Sequence, residues 1–341
     1  MQCQSLFSGE TYDTHMTYSR PPALFITLAL SMTVSSLMAQ WQKLAPMPEP
    51  SGGSACGADG TGILVIGGTN WANGTKNWLQ TISRFDPKKL QWSIVGKLGE
   101  PLAYAVYGEQ RSDDGLVILG GSSGKAPAQS MVIVHKSKSS SQPVAALRRQ
   151  IVLSAGGIIG DTFIIVGGTD DAANIAGFTN HASAWSLNQK AITTLPDYPG
   201  KPFGSAAAAV LADELFVFGG ANPIDSGVAN TSESYAFSMS TKQWRTLKPY
   251  PLAARGPTAV ALDDHRIYIA GGYGGEPEGF LSAAFIYDRR TDSYAKATPL
   301  PYAASVSLAM LDGFVYCLGG EDKMKSRTDA AWRIPVVSLT Q

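Results

Sequence analysis

Apolar and polar positions alternate along this chain in a repeating pattern. Short apolar runs that end in Gly-Gly recur at 63–68, 116–121, 163–168, 215–220, 267–272 and 314–320. A continuous apolar run of this length, bounded by turn residues, predicts a buried strand. Before each comes a run of small or apolar residues, such as 204–211 and 258–262. A polar turn joins the two, as in Ala212-Asp213-Glu214, Asp263-Asp264-His265 and Asp312-Gly313. That arrangement predicts a hairpin. After each Gly-Gly comes a polar loop of variable length, then a third strand, often aromatic, at 82–85, 182–187, 234–237 and 283–287. Turn residues lead to a fourth strand, marked by Trp92, Trp244 or Tyr294. It exits through Leu and Pro, as at Leu195-Pro196, Pro249-Tyr250-Pro251 and Pro299-Leu300-Pro301.

Six units of four strands predict an all-β fold, a six-bladed β-propeller. The Gly-Gly ends recur about every 50 residues, the period of kelch repeats, and nearly the whole chain after residue 39 resembles that superfamily. The second unit is the most degenerate: the polar stretch 136–141 is expected to break its third-to-fourth strand turn, and no tryptophan follows. The strand arithmetic is uneven at the ends. After Gly320 only one strand is visible, at 330–337, whereas residues 41–48 have fourth-strand character with no blade before them. The first strand after the leader is therefore expected to complete the last blade, closing the ring and removing exposed edges. Trp41 then reads as a structural aromatic.

Residues 1–39 read as a signal peptide and residues 40–341 as the propeller. Arg20 supplies the positive region, residues 22–34 the apolar one, and cleavage is expected after Ala39. Met16 would give a more ordinary start. A periplasmic or secreted location follows, with no membrane span once the leader is removed; a retained N-terminal anchor is the alternative. Charge balances at zero and no basic tract is present, so nothing suggests nucleic acid. Cys56 and Cys317 lie in strand patterns. They could pair in an exported protein, but two small buried hydrophobes is the preferred reading.

In a blade, the loop from second to third strand shares a face with the connector from the fourth strand to the next blade. The Gly-Gly loops therefore gather at one end of the central channel. The candidate ligand-binding residues there are Asn70, Trp71, Asn222, Tyr273 and the connector arginines Arg148 and Arg255. For any one of them, a solvated loop residue is the ordinary alternative. The sixth loop differs from the rest. Only in Gly319-Gly320-Glu321-Asp322-Lys323-Met324-Lys325-Ser326-Arg327-Thr328-Asp329 does a carboxylate follow the glycines directly, with an arginine six residues later. Metal ligation is not expected, because no histidine pair has ligand spacing. No cofactor is expected either.

The Glu321-to-Asp329 stretch is similar to a motif of the sialic acid mutarotases, the N-acetylneuraminate epimerases, which are exported six-bladed kelch propellers. Blade order would make this chain a cyclically permuted member of that family. The resemblance implies an isomerase of carbohydrate metabolism that interconverts the anomers of N-acetylneuraminate or a related small acidic sugar. It implies that Glu321 is the proton acceptor and that Arg327 binds the substrate carboxylate. Mutarotation needs a base for the anomeric hydroxyl and a proton for the ring oxygen, and one carboxylate can serve both in turn. The planar fork of Arg327 suits a carboxylate. Two family arginines are replaced, by Phe203 after Tyr198-Pro199-Gly200-Lys201-Pro202 and by Leu102; Arg148, Arg149 or Arg255 could compensate. An ion pair that merely orders the loop is the alternative for Glu321 and Arg327. A non-catalytic propeller that binds glycans or proteins is the competing function.

Overall fold

The structure, a computed structural model, describes residues 40–340 except 111–114, 127, 129, 136–137 and 145–150. The expected leader and Arg148 lie outside the described residues. Six four-stranded antiparallel sheets form the blades of a propeller. Blade one comprises Ala55–Ala58, Ile63–Ile66, Thr81–Asp86 and Gln91–Lys97. Blade four comprises Ala207–Leu211, Glu214–Phe218, Ser234–Ser238 and Gln243–Thr246, and blade five Thr258–Ala261, Arg266–Ala270, Ala284–Asp288 and Ser293–Lys296. Blades two and three follow the same plan.

The burial of each strand follows from its place in the blade. The second strand packs on both faces, which is why Ile63–Ile66 is buried at every position and reads as an unbroken apolar run. The fourth strand is outermost, and its side chains in blade one are exposed or half-buried. Hydrophobic clusters fill the spaces between adjacent blades, so the core is divided among the blade interfaces.

Blade six consists of Ser305–Leu311, Phe314–Glu321, Ala331–Pro335 and, outermost, Gln42–Lys43. The N-terminal strand pairs antiparallel with the third, Gln42 opposite Arg333 and Lys43 opposite Trp332. The ring is thus closed by the first strand of the described chain, as its fourth-strand character predicted. The side chains repeat the logic. Trp92, Trp244 and Tyr294 sit opposite Phe85, Phe237 and Tyr287. Each also bonds a carbonyl in the preceding connector: Ala45, Pro196 and Lys248 respectively. Trp41 does the same with Pro299, its indole N–H donating at 2.7 Å.

One sequence expectation is corrected. The polar stretch of blade two does not interrupt the blade. Lys138–Pro143 is itself the fourth strand, pairing with Ser130–His135 from His135 opposite Lys138 to Ser130 opposite Pro143. An outer strand needs backbone bonds but little apolar surface, so its serine-rich composition concealed it. Cys56 and Cys317 are buried and unpaired. Burial raises both thiols above their ordinary value, Cys317 to about 12. Among the described residues, no helix is long and apolar enough to cross a membrane.

Candidate functional site

A channel of about 1280 Å³ runs between the innermost strands. Small side chains line much of it, among them Gly156, Gly157 and Ala206–Ala209. At one mouth, five equivalent positions, one in each of blades one to five, form a rim: Gly53, Tyr104, Leu153, Ser205 and Gly256. All five adopt positive φ, between 54° and 70°. They are linked by a belt of peptide bonds. Tyr104 N–H donates to Gly53, Leu153 to Tyr104, Ser205 to Leu153 and Gly256 to Ser205, at 2.7–3.0 Å. Blade six has no counterpart: Ser305 pairs with Glu321 as Gly52 pairs with Thr69, but one residue rather than two separates it from the start of the regular ladder.

The second strand of blade six runs through Gly319 and Gly320 to end at Glu321, so backbone pairing holds this residue. Gly320 has φ 105°, and a Cβ there would lie 2.2 Å from the Ser305 carbonyl oxygen; no other residue fits. Its N–H donates to Ser51 at 2.7 Å, tying blade six to the entrance of blade one.

Arg327 returns from the loop to meet Glu321, Nη1 to Oε1 at 3.0 Å. The guanidinium side chain is 5% exposed and the carboxylate 34% exposed. Nη1 also donates to the Ser326 carbonyl at 2.6 Å. Nε is buried and has no partner. The side chain lies on the bare backbone of Gly52, where a Cβ would come 2.5 Å from Cδ and 2.6 Å from Nε. The next residue, Gly53, carries the ring of Tyr104 in the same way, with Cε1 2.5 Å from an added Cβ. Arg327 and Tyr104 therefore lie on consecutive glycines.

Arg255 and Tyr273 also line the channel mouth. Their backbones exchange two hydrogen bonds, and the guanidinium stands 4.4 Å from the ring centre. Arg255 Nη1 donates to Asn230 at 3.1 Å. The Tyr273 hydroxyl donates to Glu276 at 2.5 Å, which raises its pKa above the ordinary value. Asn70 and Trp71 lie on a hairpin, Thr69–Ala72 paired with Thr75–Trp78, set outside the channel lining. Asn70 accepts from Asn77, and Lys325 of the blade-six loop stands 6.0 Å from the Trp71 ring.

Asn222 departs from expectation. It is buried at 8% exposure and donates to the Pro202 carbonyl at 2.9 Å, bracing the connector into blade four. Phe203 and Leu102 are buried in interblade clusters, so neither position faces the channel. Sequence reading did not single out Tyr104. Aligning the five rim positions reveals it, because the others are glycine, serine or leucine.

One group of possible metal ligands occurs among the described residues: Asp263, Asp264 and His265, with ligand atoms within 4.8 Å of one another. It lies in the turn between the first two strands of blade five, at the channel's other end. Arg266 and Arg290 already pair with its carboxylates.

Comparisons with known proteins agree with this architecture. Residues 50–99 and 254–301, which contain blade one and blade five, match the kelch motif. Kelch-like protein 36 of Bos taurus is 26% identical over 276 residues, 77% of this chain and 42% of that protein. Kelch-like protein 35 of Mus musculus is 32% identical over 168 residues, 49% and 26% of the two chains. The N-acetylneuraminate epimerase of Yersinia pestis (strain Pestoides F) is 26% identical over 175 residues, 40% and 45% of the two. The chain spans less than half the length of these relatives.

Proposed function

From a six-bladed propeller that carries kelch motifs and holds a carboxylate–guanidinium pair at one channel mouth, we propose that the protein is a mutarotase of N-acetylneuraminate or a related acidic sugar. One observation carries the reading. Glu321, fixed by the strand ladder and partly exposed at the mouth, is held by a nearly buried arginine that retains an unpartnered donor. A buried unpaired N–H costs about 1–3 kcal/mol, and an anionic ligand would offset that cost. Glu321 accepts the proton of the anomeric hydroxyl. Arg327 orients it through Nη1 and offers the rest of its fork to the sugar carboxylate. Arg255 and Tyr273 are the further substrate contacts. Export to the periplasm or the exterior would suit a carbohydrate ligand of this kind and remains part of the proposal.

The experiment is anomer exchange of N-acetylneuraminate followed by NMR with and without protein, for the parent and Glu321→Gln. Glutamine keeps the shape and removes the base, so exchange should fall by about 100-fold or more. A folded Gln variant with parental activity would take Glu321 out of the mechanism.

A second reading is a propeller that binds glycans or proteins without chemistry. Its support is that the similarity to a Kelch-like protein extends over 77% of the chain, against 40% for the epimerase. Ligand shifts without accelerated exchange would favour it.

A further inference from the structure

We infer that Tyr104 is the second proton-transfer residue of this site, delivering its phenolic proton to the ring oxygen while Glu321 takes the proton of the anomeric hydroxyl. The inference rests on the mutarotase reading and replaces its single carboxylate with two groups acting together.

The geometry is specific to Tyr104. It occupies one of the five rim positions and is the ionisable side chain among them. The positive φ of 59° is shared by Leu153 and Ser205, so that strain belongs to the belt. What distinguishes this position is the side chain and its surroundings. The ring lies over Gly53, one residue from Gly52, on which Arg327 rests. Consecutive Cα atoms are about 3.8 Å apart, so the phenol and the Glu321–Arg327 pair share one corner of the mouth. The hydroxyl lies 3.3 Å from Thr69 Oγ1. Trp78 meets the ring edge-on at 5.6 Å. Lys76 Nζ stands 4.8 Å from the Tyr104 ring and 4.9 Å from that of Trp78.

The charged groups facing Tyr104 are therefore Lys76 from the blade-one hairpin and Arg327 from the blade-six loop; Thr69 and Trp78 are neutral. Burial pushes the phenol up, but Lys76, Thr69 and Arg327 outweigh it and bring it below the ordinary tyrosine value. A phenol so placed is a stronger acid than free tyrosine, and its phenolate is stabilised after the proton leaves.

The step balances. As the carboxylate of Glu321 takes the anomeric hydroxyl proton, the O–H electron pair becomes the second bond of a carbonyl. The bond from the anomeric carbon to the ring oxygen breaks, and that oxygen leaves with the electron pair and takes the proton of Tyr104. Rotation presents the other face of the carbonyl. The former ring hydroxyl attacks it and returns its proton to the Tyr104 phenolate, while the new anomeric oxygen recovers the proton from Glu321. No oxidant, reductant or other reactant is required.

The test compares the parent, Tyr104→Phe and Glu321→Gln in N-acetylneuraminate exchange by NMR across pH, with ligand shifts to report binding and melting curves to report folding. Tyr104→Phe should bind the sugar within about two-fold of the parent yet lose about 100-fold in exchange. The parent rate should fall on the alkaline side as the depressed phenol loses its proton, and Tyr104→Phe should lack that limb. The parent-minus-variant difference in near-ultraviolet phenolate absorbance should show one tyrosine titrating below the ordinary value. Lys76→Met removes a facing charge without touching the phenol, so it should move both that titration and the alkaline limb to higher pH. This variant also keeps the test decisive if Tyr104→Phe does not fold. Full activity in Tyr104→Phe, with Glu321→Gln inactive, would overturn the role of Tyr104 and leave the mutarotase reading standing. Loss of sugar binding in a folded Tyr104→Phe would make it a binding group and overturn the role as well. A limb unmoved by Lys76→Met would also count against it. A parent protein that exchanges no acidic sugar would end both readings.

Discussion

Arg327 lies on Gly52 so closely that a single Cβ at residue 52 would come within 2.5 Å of its Cδ. The arginine can meet Glu321 only because that backbone is bare. Gly52→Ala should therefore displace the arginine while removing no charged group. Small misplacements of a catalytic group can cost about 100-fold. We expect mutarotation to fall by at least about ten-fold with the unfolding midpoint little changed, checked by NMR exchange and a melting curve. Parental exchange in Gly52→Ala would show that the arginine's position is not critical.

The guanidinium of Arg327 has two assignments that can be separated. Arg327→Lys keeps the charge and loses the planar fork. Glu321 then loses its oriented partner with any substrate, and an acidic sugar also loses the edge carrying the free Nε. N-acetylneuraminate should lose about 1.5–3 kcal/mol of transition-state stabilisation, measured in kcat/KM, and its neutral amide clearly less. Equal losses would confine Arg327 to its role beside Glu321.

Ring closure rests on the paired strand Gln42–Lys43, on backbone bonds from Leu44 and Met47 to Ala331 and Asp329, and on the Trp41 indole. Trp41→Ala removes the bond to Pro299 and the packing against the cluster between blades five and six. The loss for this half-buried aromatic should be about 2 kcal/mol, below that of a fully buried one. Deleting residues 40–48 should lower thermal stability or solubility far more, by exposing the Ala331–Pro335 edge. A deletion variant that melts like the parent would contradict closure as a source of stability.

Acid stability should depend on blade one. Asp59 is fully buried and its Oδ2 meets Arg84 Nε at 2.6 Å. Burial raises the carboxyl, but Arg84 and the backbone N–H groups of Thr61 and Gly62 outweigh it and lower the pKa. A lowered native pKa stabilises the fold above the unfolded carboxylate value, and that contribution is lost as pH falls through the native one. Arg84→Met leaves burial with less to oppose it. It should cost about 3 kcal/mol at neutral pH and move acid unfolding to higher pH, as followed by urea denaturation at several pH values. An unchanged acid limb would remove this pair from the account.

The sequence by itself determined the blades. Second strands packed on both faces must be apolar throughout, so Ile63–Ile66 and its counterparts were legible, as were the turns and aromatic pairs that follow them. The unmatched strand at residues 41–48 was enough to predict closure. It also marked Glu321 and Arg327, because a carboxylate directly after a strand-ending Gly-Gly stands out against the other five strand ends, which lack one. Tertiary structure decided what those repeats bring together. Asn222 looked like a rim ligand, but its amide turns to the Pro202 carbonyl, a choice made by a hairpin folding back on its neighbour. Tyr104 belongs to blade two, Lys76 to a blade-one hairpin and Arg327 to blade six, and nothing in their spacing links them. They meet because closure brings the last blade against the first, and because Gly52 and Gly53 leave room for two side chains over one stretch of backbone. Local pattern encodes the strand. Only the closed ring, through contacts between residues far apart in the chain, encodes the site.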